Sequence, residues 1–179
     1  MNRQVLMLLI LITGWAGAHP VDEVVQGAYL TLVPSGVQLE LDLTPGSQVA
    51  ISVLKSLDAN GDRQISTSEA RAFAARVLAQ SSLLLDGATL SWTLDEVTVP
   101  PYQNLALGSD TLRIYATAKL TVKAGAHTLS YTNRYQPAKS QCIANIFLQP
   151  GGGWTYGVSG QAHSNDGRGL TVHYQVTRS

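Results

Sequence analysis

Side chains that carry oxygen atoms recur at short intervals in one twelve-residue stretch, which begins at Asp58 and ends at Glu69. A calcium ion binds six to eight oxygen atoms, and a loop can supply them from its positions 1, 3, 5, 7, 9 and 12. Those positions are occupied by Asp58, Asn60, Asp62, Gln64, Ser66 and Glu69. We expect side-chain oxygens from the first three, the backbone carbonyl of Gln64, a water-mediated contact from Ser66, and both carboxylate oxygens of Glu69. The stretch therefore predicts a Ca²⁺ site.

Apolar residues flank this stretch at helical spacing on both sides. They are Ala50, Val53, Leu54 and Leu57 before it and Ala70, Phe73, Ala74 and Val77 after it. This period predicts two amphipathic helices joined by the loop, over about residues 48–80, and Thr67 gives a start signal for the second helix. Ile65, at position 8, is expected to anchor the loop on apolar residues. Helices, loop and anchor together resemble an EF-hand.

Two residues depart from the EF-hand pattern. Arg63 stands at position 6, where glycine is usual because the chain turns sharply there with a positive φ. Ala70, directly after the loop, stands where EF-hands usually have a large apolar residue. Both departures predict weakened calcium binding. An alternative interpretation is a solvated turn that caps a helix, in which Asp58 and Asn60 form local Asx turns and hold no metal.

The rest of the chain has the alternation of half-buried β-strands. Residues 28–33 and 37–43 read as a hairpin around Pro34-Ser35-Gly36, since alternate residues are apolar. Further strands are predicted at residues 82–85, 90–99, 111–122, 128–135, 143–148, 154–159 and 170–176. Many short strands with glycine and proline turns favour a mainly β fold. We expect an antiparallel β-sandwich or partly open barrel into which the helix-loop-helix is inserted.

The first eighteen residues have the pattern of a signal peptide. Arg3 supplies a positive charge, residues 5–12 are apolar, and Ala16-Gly17-Ala18 supplies small residues for cleavage. We expect cleavage after Ala18, a mature domain over residues 19–179, and a secreted or periplasmic location. No later stretch is long and apolar enough to predict a transmembrane segment in the mature chain.

Charge and motif content narrow the classes of function. The chain has 12 basic and 12 acidic residues, and removal of Arg3 with the leader would leave 11 against 12. This balance gives no positive field that would attract nucleic acid. No nucleophile elbow, phosphate loop or zinc-protease motif occurs, so a non-enzymatic role is expected. The lone Cys142 lies beside apolar residues, which predicts a buried, inert thiol.

His19 suggests a second metal chemistry. Cleavage after Ala18 would make His19 the first residue, and its terminal amine and imidazole could chelate copper or nickel once another histidine joined them. The available partners are His127, His163 and His173. Their spacing does not bring any of them to His19, so this accessory copper or nickel site is the alternative to the calcium loop.

Several short segments resemble a known exported domain. They are His19-Pro20, Tyr29-Leu30-Thr31-Leu32, Leu57-Asp58-Ala59-Asn60-Gly61-Asp62, Asn133-Arg134-Tyr135-Gln136-Pro137 and Ala144-Asn145. Together they look like the N-terminal domain of HupE/UreJ-type and nickel or cobalt exporter-type membrane proteins. The sequence reaches Ser179 without transporter helices, so transport itself is not expected. The resemblance implies an accessory role near metal handling, with a protein partner or a membrane metal transporter.

Overall fold

A computed structural model of the chain describes residues 21–178. The signal peptide predicted over residues 1–18 and the new amino terminus predicted at His19 lie outside the described residues. The ten strands are β1 Val24–Val33, β2 Gly36–Pro45, β3 Ser81–Leu85, β4 Ala88–Leu90, β5 Trp92–Thr98, β6 Leu112–Lys119, β7 Gly125–Asn133, β8 Ser140–Leu148, β9 Trp154–His163 and β10 Gly169–Arg178. The three helices are α1 Ala50–Leu57, α2 Thr67–Leu78 and α3 Tyr102–Ala106.

The strands form two five-stranded sheets. The first sheet has the order β5-β6-β2-β1-β8, and the second has the order β4-β3-β7-β10-β9. Their inner faces supply most of the buried apolar side chains, so the fold is a mainly β sandwich, as the sequence predicts. Neither sheet closes into a barrel within residues 21–178.

Alternation along the strands explains the first hairpin. In β2, Leu39, Leu41 and Leu43 are buried, while Glu40 and Asp42 point outward. β1 and β2 pair in antiparallel register from Val24 with Pro45 to Val33 with Gly36. A slip of one residue would exchange the buried and outward sets, so burial of the leucines fixes this register.

One strand pairing differs from the predicted antiparallel pattern. β8 lies parallel to β1, with Val24 opposite Ser140 and Leu32 opposite Leu148. Parallel neighbours cannot be joined by a tight turn, and here most of the chain runs between them. Cys142, in β8, is half-buried rather than fully buried, which corrects the sequence expectation, and burial raises the pKa of its thiol.

The helix pair connects the two sheets. α1 and α2 follow β2 of the first sheet and precede β3 of the second. Apart from Ala70, their buried residues belong to the same apolar cluster as the inner faces of the strands, and the Phe73 ring meets Tyr135 edge-on at 5.9 Å between centroids. The predicted helix-loop-helix is therefore confirmed, and it shares the core of the sandwich.

Two short elements were not predicted from the sequence. β4 has only three residues and α3 only five, so neither is long enough to display its period. None of the helices within residues 21–178 is long and apolar enough to cross a membrane.

A buried pair of amides joins the two sheets. Gln26 of β1 and Asn133 at the end of β7 are both buried. The Asn133 side chain donates to Oε1 of Gln26 at 2.9 Å, and Gln26 donates to the Tyr135 carbonyl at 3.1 Å. The backbone N–H of Tyr135 in turn donates to Oδ1 of Asn133 at 3.0 Å. Asn133 and Tyr135 thus link the second sheet to Gln26 of the first sheet by hydrogen bonds.

Candidate metal centre

The two helices bury the apolar faces that the sequence predicts. Within α1 the buried residues are Ala50, Val53, Leu54 and Leu57, and within α2 they are Ala70, Phe73, Ala74, Val77 and Leu78. Arg76 of α2 also donates a hydrogen bond to the Ser56 carbonyl near the end of α1. Packing and this bond together fix the two ends of the intervening loop.

Asp58 anchors the beginning of the loop. It is the C-cap of α1, is only 8% exposed, and has its backbone N–H bonded to the Leu54 carbonyl. Its Oδ1 accepts the Gly61 N–H at 2.9 Å, and its Oδ2 accepts the Arg63 N–H at 3.0 Å. The chain turns around this carboxylate, with positive φ values of 75° at Gly61 and 63° at Arg63.

The side chains of Asn60 and Asp62 also accept backbone N–H groups further along the loop. Oδ1 of Asn60 accepts the Asp62 N–H at 2.9 Å, and Oδ1 of Asp62 accepts the Gln64 N–H at 2.7 Å. The Asn60 amide also donates to Oδ2 of Asp62 at 3.0 Å. All three residues are exposed to solvent. The Asx turns of the alternative interpretation are therefore present. Such turns form without a metal ion, so they do not by themselves indicate a metal site.

Glu69 closes the loop. Its Oε1 accepts the N–H groups of Ala59 at 3.0 Å and Asn60 at 3.3 Å, so the last loop position contacts the first turn. Its Oε2 accepts the N–H of Ser66 at 3.0 Å and the Ser66 hydroxyl at 2.7 Å. The hydrogen bonds from Ser66, followed by those from Asn60 and Ala59, hold the pKa of Glu69 below its usual range. This carboxylate is therefore ionised at neutral pH.

The second helix begins at Thr67, and its N-cap is Ser66. Ser66 is the N-cap of α2, and its side chain accepts the Glu69 N–H at 3.3 Å while Glu69 accepts from the Ser66 backbone. This reciprocal pair is a capping box, whose S-x-x-E spacing is visible in the sequence.

The remaining loop positions agree with an anchored loop. Ile65 is partly buried and packs against the core cluster, as predicted for position 8. Ala70 is 6% exposed, so the small residue after the loop is covered by its neighbours. Arg63 is exposed, and it lines a groove of about 480 Å³ together with Tyr102, Gln103, Ala106 and Leu107 at α3.

The oxygen atoms of the loop differ in how much accepting capacity they retain. Within residues 21–178, no three histidine, cysteine, aspartate or glutamate side chains stand together as a ready metal cage. Each carboxylate oxygen can accept about two hydrogen bonds. Every oxygen of Asp58 and Asp62 accepts one, whereas each oxygen of Glu69 accepts two. The carboxylates of Asp58 and Asp62 can thus contact a metal ion while they keep their hydrogen bonds. Glu69 would have to give up some of its hydrogen bonds to contact the ion.

The donor chemistry of the loop fits calcium. Its candidate ligands are three carboxylates, one amide oxygen, one carbonyl and one hydroxyl, all of them oxygen donors. Hard cations prefer oxygen, whereas copper, nickel and zinc prefer nitrogen or sulfur. The donor set therefore favours Ca²⁺ over the softer metals.

The three histidines proposed as partners of His19 have other contacts. His127 contacts Asp86 Oδ2 at 2.7 Å and the Lys123 carbonyl at 3.0 Å through its two ring nitrogens. His163 contacts the Ala144 carbonyl, and His173 contacts the Thr128 hydroxyl. The copper or nickel alternative stays a prediction, because His19 lies outside the described residues.

No protein-family model matches the chain, and no curated protein matches it significantly. The resemblances to EF-hands and to exported domains of metal exporters therefore stay predictions. The candidate metal site is therefore supported by the loop's own residues and geometry.

Proposed function

We propose that this chain is an exported calcium-binding protein that holds one Ca²⁺ ion in the loop from Asp58 to Glu69, in a non-enzymatic binding or accessory role. One observation carries the proposal. The Glu69 carboxylate reaches back to the amides of Ala59 and Asn60, so the last ligand position of the predicted loop meets its second and third residues. A helix cap alone requires only the contact between Ser66 and Glu69.

The left-handed backbone at Arg63 supports the same interpretation. Its φ of 63° is the conformation for which EF-hand loops usually carry glycine. Such a conformation costs a residue with a Cβ on the order of 1–2 kcal/mol. The loop adopts the turn despite the unfavourable residue, because Asp58 holds the Arg63 amide.

The residues that would hold the ion are Asp58, Asn60 and Asp62 through side chains, Gln64 through its carbonyl, Ser66 through water, and Glu69 through its carboxylate. A bound Ca²⁺ ion would supply a divalent charge that offsets the mutual repulsion of the three carboxylates. Because the helix pair connects the two sheets, binding would stabilise that connection by the usual linkage between ligand and native state.

Calorimetric titration with calcium tests the proposal. We expect Asp58→Ala and Glu69→Gln to abolish binding, while circular dichroism shows that the β framework remains folded. A matched control is Asp166→Asn, because Asp166 also caps a turn by accepting the Arg168 N–H but lies outside the loop. Unchanged affinity in both loop variants would refute the assignment, as would an equal loss in the control.

Export is part of the proposal and rests on the pattern of Arg3, the apolar run and Ala16-Gly17-Ala18. Intact-mass measurement of protein recovered outside the cytoplasm should give a chain that begins at His19. A species that retains the leader would contradict the export step and remove the copper or nickel alternative, but it would leave the calcium loop unaffected.

A further inference from the structure

The outer face of the first sheet carries a groove of about 590 Å³ that the calcium proposal does not use. Tyr29, Tyr115 and Phe147 contribute aromatic side chains to it, and Glu40, Asp95 and Glu96 contribute carboxylates. No lysine or arginine and no residue of the calcium loop is among the described residues that line it. The groove thus combines aromatic surface with unbalanced negative charge.

The strand register places aromatic and acidic residues in one alternating row. Tyr29 of β1 lies opposite Glu40 of β2, Glu40 lies opposite Tyr115 of β6, and Tyr115 lies opposite Glu96 of β5. Neighbouring strands are about 4.8 Å apart, so the row extends roughly 14 Å across the sheet. Each ring in the row has a carboxylate beside it.

Tyr29 presents the face of its ring. A Cβ atom placed on Gly27 would lie 2.9 Å from Cε2 and 3.0 Å from the hydroxyl oxygen of Tyr29. The Tyr29 ring therefore lies along β1 directly over Gly27, and this glycine is what lets it lie flat on the backbone. The residue stays 36% exposed, so part of its side chain is accessible to a ligand.

A β-bulge concentrates the acidic residues. The register of β5 against β6 shifts between Leu94 and Glu96, so the consecutive residues Asp95 and Glu96 both line the groove. Regular alternation would send one of two consecutive side chains toward the core. Asp95 is held in place by the Thr117 hydroxyl at 2.7 Å. The bulge thus places two carboxylates, rather than one, at this end of the row.

Arg113 only partly offsets this charge. Nε of Arg113 lies 3.8 Å from Glu40 and 3.6 Å from Asp42, beyond hydrogen-bonding distance in both cases. An aromatic face with carboxylates at its edge is complementary to a planar cation, because the ring attracts positive charge and the carboxylate accepts N–H groups from a guanidinium. A neutral ligand would leave the excess negative charge of the groove without a counter-charge.

We propose that this groove binds an extended segment of a partner protein through arginine side chains, which stack on Tyr29 and Tyr115 and pair with Glu40 and Glu96. The two tyrosines are two strands apart, about 10 Å, so one guanidinium cannot reach both. Two arginines separated by two residues span about 9 Å in an extended or polyproline-type segment. The spacing therefore favours a peptide over a single small cation.

A titration of the purified protein with the peptide acetyl-Arg-Gly-Gly-Arg-amide, followed by two-dimensional amide NMR, tests the proposal. We expect saturable shifts in β1, β2 and β6 around the groove. The analogue with citrulline, which has the shape of arginine without its charge, should bind at least about tenfold more weakly. Glu40→Gln and Tyr29→Leu should each weaken binding of the arginine peptide about fivefold. Asp166→Asn, outside the groove, should leave the affinity unchanged.

Several results would overturn the proposal. Amide shifts near carboxylates all over the surface would indicate only general charge attraction. The same conclusion would follow if the peptide with lysine in place of arginine bound equally well and binding disappeared at moderate salt. Shifts at the same amides caused by a neutral oligosaccharide such as cellotetraose, with no response to the arginine peptide, would assign the groove to carbohydrate. Absence of any saturable binding would also refute it. None of these results bears on calcium binding by the loop.

Discussion

The backbone N–H of Arg63 donates a 3.0 Å hydrogen bond to Oδ2 of Asp58, and Arg63 holds a left-handed φ of 63°. Asp58 ends α1 and its other oxygen binds the Gly61 amide, so one nearly buried carboxylate organises the whole first half of the loop. A residue with a side chain is thereby kept in a conformation that favours glycine.

Arg63→Gly is expected to tighten calcium binding by roughly five- to tenfold. The left-handed conformation costs Arg63 on the order of 1–2 kcal/mol, and about 1.4 kcal/mol corresponds to a factor of ten in the binding constant. Glycine removes that cost in the loop that calcium holds, and removal of the positive charge acts in the same direction. Calorimetric titration at low and high salt measures the gain.

Arg63→Ala is the matched control, because it removes the charge and keeps the Cβ. It should recover only the smaller part of the gain, and that part should fade at high salt. In saturating calcium, the glycine variant should also unfold at higher urea concentration than the alanine variant. The opposite order, which is usual where φ is negative, would contradict the left-handed conformation at this position.

His127 should titrate as a group stabilised in its charged form. Its Nδ1 lies 2.7 Å from Asp86 Oδ2 and its Nε2 lies 3.0 Å from the Lys123 carbonyl, so both nitrogens face acceptors and both must carry hydrogen. The hydrogen bond with Asp86 raises the pKa of His127 above its ordinary 6.5. Because the folded pKa exceeds the unfolded pKa, this stabilisation is complete below about pH 6.5 and disappears as the pH rises through the folded value.

Asp86→Asn provides the control for this pH dependence. Asp86 has a φ of 52°, and asparagine tolerates that left-handed conformation while lacking the charge. NMR titration of the His127 ring protons should therefore show a lower pKa in the variant, together with a flatter dependence of unfolding free energy on pH in this window. An unchanged pKa of His127 would contradict the role of Asp86.

The buried amide pair of Gln26 and Asn133 should be energetically coupled. Asn133→Ala leaves Oε1 of Gln26 and the N–H of Tyr135 without their partners, and each buried orphan costs about 1–3 kcal/mol. Gln26→Ala removes the same inter-sheet hydrogen bond from the other side. Urea unfolding of the double variant should give a loss smaller than the sum of the single losses.

The exposed Gln141 on β8 offers a neutral comparison for this cycle, since Gln141→Ala should change stability by less than about 0.5 kcal/mol. Strict additivity of the Gln26 and Asn133 variants would show that the two amides do not act as a pair.

The periods of apolar residues in the sequence predicted the elements whose conformation depends on neighbouring residues. The leucines of β2 and the apolar faces of α1 and α2 are buried as their periods predict. Asp86-Gly87 forms the turn between β3 and β4, with left-handed φ values at both residues, as that dipeptide favours, although β4 itself is too short to be predicted. In each case a few neighbouring residues determine the conformation.

The relationships that sequence analysis missed join residues distant in the chain. The parallel pairing of β1 with β8 and the contact of Gln26 with Asn133 arise only when the two sheets assemble. Gly27, a glycine inside a strand, was a visible signal of close approach, and it is the residue that makes room for the Tyr29 ring. The ligand set of the loop could be proposed from spacing, but the four hydrogen bonds that occupy Glu69 required the structure.

A calcium titration of the purified protein, followed by amide NMR, tests directly whether the loop from Asp58 to Glu69 binds one Ca²⁺ ion. We expect saturation at one ion per chain, with the largest shifts in residues 58–69. The amides of Ala59, Asn60 and Ser66 should be among them, because they donate to the Glu69 oxygens that calcium would engage. The amides of β7 and β10, in the second sheet, should keep their positions. Absence of saturable shifts in the loop at millimolar calcium, or shifts centred on another part of the chain, would contradict the claim.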